Sequence, residues 1–164
     1  MRQVISAAPS LDISAFATRI AAGSSLVTDP SRALCARYGY QTLYEVPRDL
    51  QKRLRRELIR AHAEKLQDNA SGVFDHSIFL FLADWMRWLW GDTPSEEWES
   101  VLIDALPAVD RSEKIHHVVA APRGGYDGYR WLDARNAKQV EKIMRGLYRE
   151  YGCEARVVEV DLSK

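Results

Sequence analysis

The chain lacks the raw material for several common designs. Its 164 residues hold two cysteines, Cys35 and Cys153. They are too few for a disulfide framework and too far apart for a zinc knuckle or a CxxC redox motif. Two buried or idle thiols in a reducing cytoplasm are expected, and the chain reads as cytoplasmic. Net charge is also missing: 23 Lys and Arg balance 23 Asp and Glu, so no overall field draws the protein to nucleic acid or anionic lipid. The sequence contains no GxxxxGK[ST], no GxGxxG, no HExxH and no GxSxG, the spacings that carry phosphate cradles, zinc catalysis or a nucleophile elbow. Neither a cofactor nor a metal is expected from these signals. The most apolar run, Phe74 to Trp90, reaches only about 25 Å as a helix and carries Asp84 and Arg87, so it does not read as a membrane span.

A chain this long forms one domain by default and hides about two-thirds of its unfolded surface. The run from Phe74 to Trp90 is apolar nearly all round as a helix, which predicts a central helix covered on several sides. Before it, a short helix is expected after Ser10 or Asp12, closed by Gly23. A second is expected over Pro30 to Tyr38, closed by Gly39. Residues 40 to 46 alternate as an edge strand would. Pro47 opens a long helix to about Leu66, and Thr93-Pro94-Ser95-Glu96 has the capping-box pattern for another that Pro107 stops. Past Glu113 the pattern changes. Ile115 to Ala121 and Tyr129 to Leu132 read as a hairpin through a glycine-rich connection, followed by a helix to Tyr151 ended by Gly152 and a strand from Cys153 to Val160. The expected fold is therefore α+β and single-domain, with mainly helical residues 1–110 packed on a small β-β-α-β sheet unit over residues 111–164.

Two surfaces hold chemistry suited to recognition. On the long helix, Lys52, Arg53, Arg56 and Arg60 fall close to one line and offer guanidinium groups to phosphates or carboxylates of a partner. The competing expectation is an ordinary solvated face, partly paired with Glu57, Glu64 or the acidic segment of residues 92 to 114. In the connection PRGGYDGYRW, Arg123, Tyr126, Tyr129 and Arg130 are residue types that dominate binding hot spots. His116 and His117 adjoin on a strand and so face opposite sides, unable to chelate one metal together. His62 lies on the buried side of its helix and reads as a satisfied core histidine.

These signals favour a non-enzymatic, cofactor-free binding protein that docks on a protein or protein–nucleic acid assembly and not on a membrane, as a small bacterial or phage regulator or inhibitor does. Two rivals remain open: direct nucleic-acid binding through the arginine-rich helix, and an enzyme with its site between helices and sheet.

Overall fold

A buried strand reads as a continuous apolar run, because both of its faces are covered. Residues 2–7 form such a strand, β1 (Arg2–Ala7), in which Val4 and Ile5 have no exposed surface. The structure, a computed structural model, describes residues 1–9, 11–41, 43, 45–119 and 134–162, together with the backbone of 125–126 and 131–132. Along the chain β1 is followed by α1 (Ser14–Ile20), β2 (Leu26–Val27), α2 (Ser31–Arg37), α3 (Arg48–Asp68) and β3 (Gly72–Phe74). Then come α4 (Ile78–Leu89), α5 (Ser95–Arg111), β4 (Lys114–Val119), β5 (Gly125–Tyr126), β6 (Trp131–Leu132), α6 (Ala134–Glu150) and β7 (Val157–Asp161). Five of the strands make one sheet in the order β2-β3-β1-β4-β7, and every pairing in it is parallel.

This overturns the expected α+β arrangement. The chain is α/β, with its sheet drawn from both halves and its middle strand nearly at the N-terminus. The expected hairpin partner of β4 is displaced as well. β4 lies between β1 and β7, while β6 pairs with β5 in a separate two-stranded antiparallel ribbon. The described residues among 40–46 form turn and bend instead of an edge strand.

The strand pleat divides the core in two. Val4, Phe74 and Ile115 face a large cluster built on α3, α4, α5 and α6, while Ile5, Val73 and Val118 face a smaller one with Phe16, Ala17 and Ala21 around α1. Helix α4 is the covered central helix that its composition predicts: Ile78, Phe79, Phe81, Leu82, Ala83, Trp85 and Leu89 are buried. Its start lies later than expected, since Phe74 belongs to β3 and Ser77 caps the helix by accepting from the Leu80 N–H at 3.2 Å.

Gly23, Gly39 and Gly152, the three expected helix terminators, all have positive φ, a conformation cheap only for glycine. The capping box before α5 does not form. The Thr93 hydroxyl instead accepts from Trp85 Nε1 at 3.1 Å and donates to the Leu89 carbonyl at 2.7 Å, tying α4 to the next turn. Nor does Pro107 stop α5, which runs through it to Arg111. A proline there removes one backbone bond, to a turn whose Ile103 and Leu106 side chains are exposed. Among the described residues no helix is long and apolar enough to cross a membrane. Cys35 and Cys153 are both buried, and neither forms a disulfide among the described residues.

Candidate functional site: a crevice at the carboxyl edge of the sheet

In an all-parallel sheet every strand delivers its following loop to the same edge, and open α/β sheets place ligands in the crevice outside it. Here that edge has a cavity of about 200 Å³. Pro9, just past β1, and Asp29 and Ser31, just past β2, form part of its wall. Facing sides of α3 (Arg48, Gln51, Arg55, Leu58) and α4 (Leu80, Phe81, Asp84, Trp88) supply most of the rest. Asn136, at the start of α6, reaches it from the half of the sheet containing β4 and β7.

The helical period explains the lining. Positions 51, 55 and 58 of α3 lie along one stripe, and 80, 84 and 88 of α4 along another. Two helices that pack side by side above the sheet therefore turn these residues toward each other. Arg55 is the centre of the arrangement. Its side chain is only 7% exposed, its Nε donates to Asp84 Oδ2 at 2.8 Å, and its Nη1 donates to Gln51 Oε1 at 3.0 Å. Gln51 is held in turn through its Nε2, which donates to the Val46 carbonyl at 2.8 Å. A guanidinium gripped on two edges keeps one orientation, a preorganised donor in a low-dielectric wall. Asn136 Oδ1 is buried and has no hydrogen-bond partner among the described residues.

The loops that enter the crevice treat anions in a particular way. Helix N-termini present free N–H groups that suit phosphate. At α1 the Ser14 N–H donates to Asp12 Oδ1 at 3.2 Å, and at α2 the Ser31 N–H donates to Asp29 Oδ1 at 2.8 Å. Carboxylates of the chain itself thus stand where an anionic ligand would. The β1–α1 connection, residues 8–13, contains no glycine and no lysine, the two residue types on which a phosphate-cradling loop relies.

The arginine-rich line lies on a different side of α3, and each of its members has an internal partner. Lys52 Nζ meets Glu97 Oε2 at 2.6 Å; Arg56 and Arg60 share Asp104 Oδ2 at 2.6 and 3.0 Å; Arg53 meets Glu57 Oε1 at 3.2 Å. Three of the four are therefore bonded to α5, the acidic helix, which fixes the α3–α5 packing. Arg123, Tyr129 and Arg130 lie outside the described residues, as does the side chain of Tyr126, whose backbone is in β5.

The histidines are buried, in two settings. His62 and His76 pack with ring centroids 4.7 Å apart and planes tilted by 58°, between Phe74 and Phe81. His76 Nδ1 bonds Asp75 at 2.9 Å, whereas neither ring nitrogen of His62 has a partner among the described residues. His62 is thus buried as expected but not satisfied. Burial, the neighbouring His76 and Lys65 hold its pKa well below the usual 6.5. His116 and His117 do point to opposite faces: one bonds Gln3 Oε1 at 2.8 Å, the other the Tyr148 hydroxyl at 2.8 Å. Tyr148 donates onward to Ser6 at 2.6 Å, and Ser6 bonds Ser77 at 2.8 Å, so a buried polar chain links β4, α6, β1 and the cap of α4. Burial pushes the Tyr148 hydroxyl pKa up and the His117 pKa down, which favours the neutral form of each. Among the described residues no group of three or more His, Cys, Asp or Glu is placed to hold a metal ion.

Sequence reasoning missed Arg55, Gln51, Asp84 and Asn136. Two of these carry a signal: Asp84 is an acid inside the most apolar helix, and Arg55 falls in line with Leu58 and His62 on its helix.

No protein-family model matches the chain, and no curated protein does. In three dimensions it is similar to the crystal structure of NadR protein in complex with NAD and AMP-PNP, with a TM-score of 0.71 and 10% sequence identity. The match covers 99% of this chain and 45% of that one, so the present chain spans less than half of its length; what the two share is the fold.

Proposed function

We propose that the chain is a binding protein whose site is the carboxyl-edge crevice, and that it takes a small ligand without a phosphate group. The observation that carries this reading is the buried Arg55, oriented by Asp84 and Gln51 in a cavity at the position where parallel α/β sheets hold ligands. Binding without turnover is favoured by the lining, in which Ser31 is the one hydroxyl and there is no imidazole or thiol among the described residues. NadR was crystallised with two nucleotides. Against a nucleotide here stand the glycine- and lysine-free β1–α1 connection and the two aspartates that occupy the helix starts.

A thermal-shift screen of small neutral fragments and of nucleotides tests this, run on the wild type, on Leu80→Trp to fill the cavity, and on Arg56→Gln as a control for the outer face. The reading expects stabilisation by fragments that Leu80→Trp abolishes and Arg56→Gln leaves intact. Stabilisation by nucleoside triphosphates and not by neutral fragments would contradict it.

A second reading retains docking on a protein or protein–nucleic acid assembly. Its support is the pair of indoles Trp88 and Trp90, 37% and 51% exposed, the first of which lines the crevice. Exposed aromatic residues of this kind anchor interfaces. Affinity capture with Trp90→Ala beside Tyr126→Ala/Arg130→Ala distinguishes a docking surface near the crevice from one on the β5–β6 ribbon. Capture of the same partner unaffected by either variant would exclude both.

A further inference from the structure

Resting on the crevice as the binding site, we propose that the buried pair His62 and His76 is a proton-sensitive gate on it: the crevice takes its neutral ligand while both rings are neutral and releases it when His62 takes up a proton. Phe81 joins the two places. It lines the cavity, and its ring centroid lies 5.7 Å from that of His62 and 5.5 Å from that of His76. Leu58, which also lines the cavity, sits one helical turn before His62 on α3.

The surroundings of His62 suit only its neutral form. Its ring is fully buried and packs against Phe74, His76 and Phe81. Neither of its nitrogens has a hydrogen-bond partner among the described residues, nor has His76 Nε2. An imidazolium donates from both nitrogens, so a proton on His62 leaves two charged N–H groups with nothing to accept them. The elements packed around the ring do not offset that charge. Lys65 on α3 is itself cationic and, with His76, disfavours it. β3 brings only Gly72, Val73 and Phe74, and Asp75 beyond it is bonded to His76 at 2.9 Å. On α4, Asp84 is bonded to Arg55, and Arg87 lies over the Trp88 ring. An unpaired charge in an apolar cage costs far more than a rearrangement that brings it to water. The open space beside this cage is the cavity, reached past Phe81. Displacing that ring takes an apolar wall from the crevice and sets a cation near it, so the protonated state discriminates against a neutral, largely apolar ligand. Because the His62 pKa lies well below 6.5, the gate acts on the acid side of that value.

The test titrates indole and benzyl alcohol, neutral throughout, into the intact chain at a series of pH values and follows it by NMR. The ring signal of His62 reports the midpoint of its proton uptake, and the amide signals of β7 report that the chain stays folded. One pH unit below the midpoint about a tenth of the molecules keep a neutral ring, so affinity should fall about tenfold. By linkage, saturating fragment should move the His62 midpoint to lower pH, a shift that a merely structural histidine would not show. His62→Leu should bind equally over the same range, which separates the gate from His116 and His117. Equal wild-type affinity on both sides of the midpoint, or a midpoint indifferent to fragment, would overturn the gate and leave the crevice reading standing. Loss of the β7 signals along with binding would make the pair a determinant of stability alone and overturn it too. If neither fragment binds at pH 7.5, the gate and the crevice reading fall together.

Discussion

The two faces of α3 carry the same residue types to opposite ends. On its outer side Lys52, Arg56 and Arg60 reach across to Glu97 and Asp104 of α5, with half of the Arg60 side chain in water. On its inner side Arg55, one position before Arg56, is buried against Asp84 and opens onto a cavity. Charge alone does not separate these groups; burial does. Exposed ion pairs are screened, contribute little and are readily exchanged, whereas a buried pair is costly to form and costlier to break. The outer arginines Arg56 and Arg60 act as fasteners between helices, and the inner one is held at the cavity wall by Asp84 and Gln51.

The comparison breaks most visibly at Arg55. Arg55→Ala leaves the Asp84 carboxylate facing the core without its counter-ion, and chemical unfolding should register a loss of about 3 kcal/mol, the lower end of the range for broken buried pairs because Asp84 keeps some contact with water. Next comes His62, further along the inner side. Its folded-state pKa lies below the 6.5 of the unfolded chain, so between the two values the unfolded state binds more protons. Stability should be complete above pH 6.5 and fall as pH drops toward the folded-state value. Denaturation curves of wild type and His62→Leu at pH 7.5 and 5.5 check this, the variant losing less on acidification. His116 and His117 are depressed in the same direction and add to the acid sensitivity.

On the outer side the effects shrink. Arg56→Gln should cost about 1 kcal/mol or less, and the difference should fade when the same unfolding curves are recorded in 1 M salt. Arg53→Gln, which removes an exposed i,i+4 contact with Glu57, should cost about 0.3–0.5 kcal/mol. An outer-face loss equal to that at Arg55 would erase the distinction between the two sides.

How far the sequence reveals this architecture depends on where each element sits. The long helices announced themselves, because α3, α5 and α6 are amphipathic with one solvated side. The acidic and basic segments, opposite in charge, are internal partners across α3 and α5. The sheet was obscured for the opposite reason. Its central strand, β1, is covered on both faces and shows the run Val-Ile-Ser-Ala with no alternation, while β2 and β3 have two and three residues, too few for any period to register. Missing these strands left β4 and β7 stranded in the C-terminal third, and an α+β fold followed. The crevice was hidden because it joins the ends of strands that had not been recognised. Once β1, β2 and β3 lie parallel, Pro9, Asp29 and the first turns of α4 arrive at one edge together.

The most direct test is a residue-by-residue map of where small neutral fragments touch the protein, read from backbone-amide shifts in a single titration series. The account predicts changes concentrated at Ser31, Gln51, Arg55, Asp84 and Asn136, with Lys52, Arg56 and Arg60 unmoved. Changes clustered on Lys52, Arg56 and Arg60, with the inner residues silent, would contradict it.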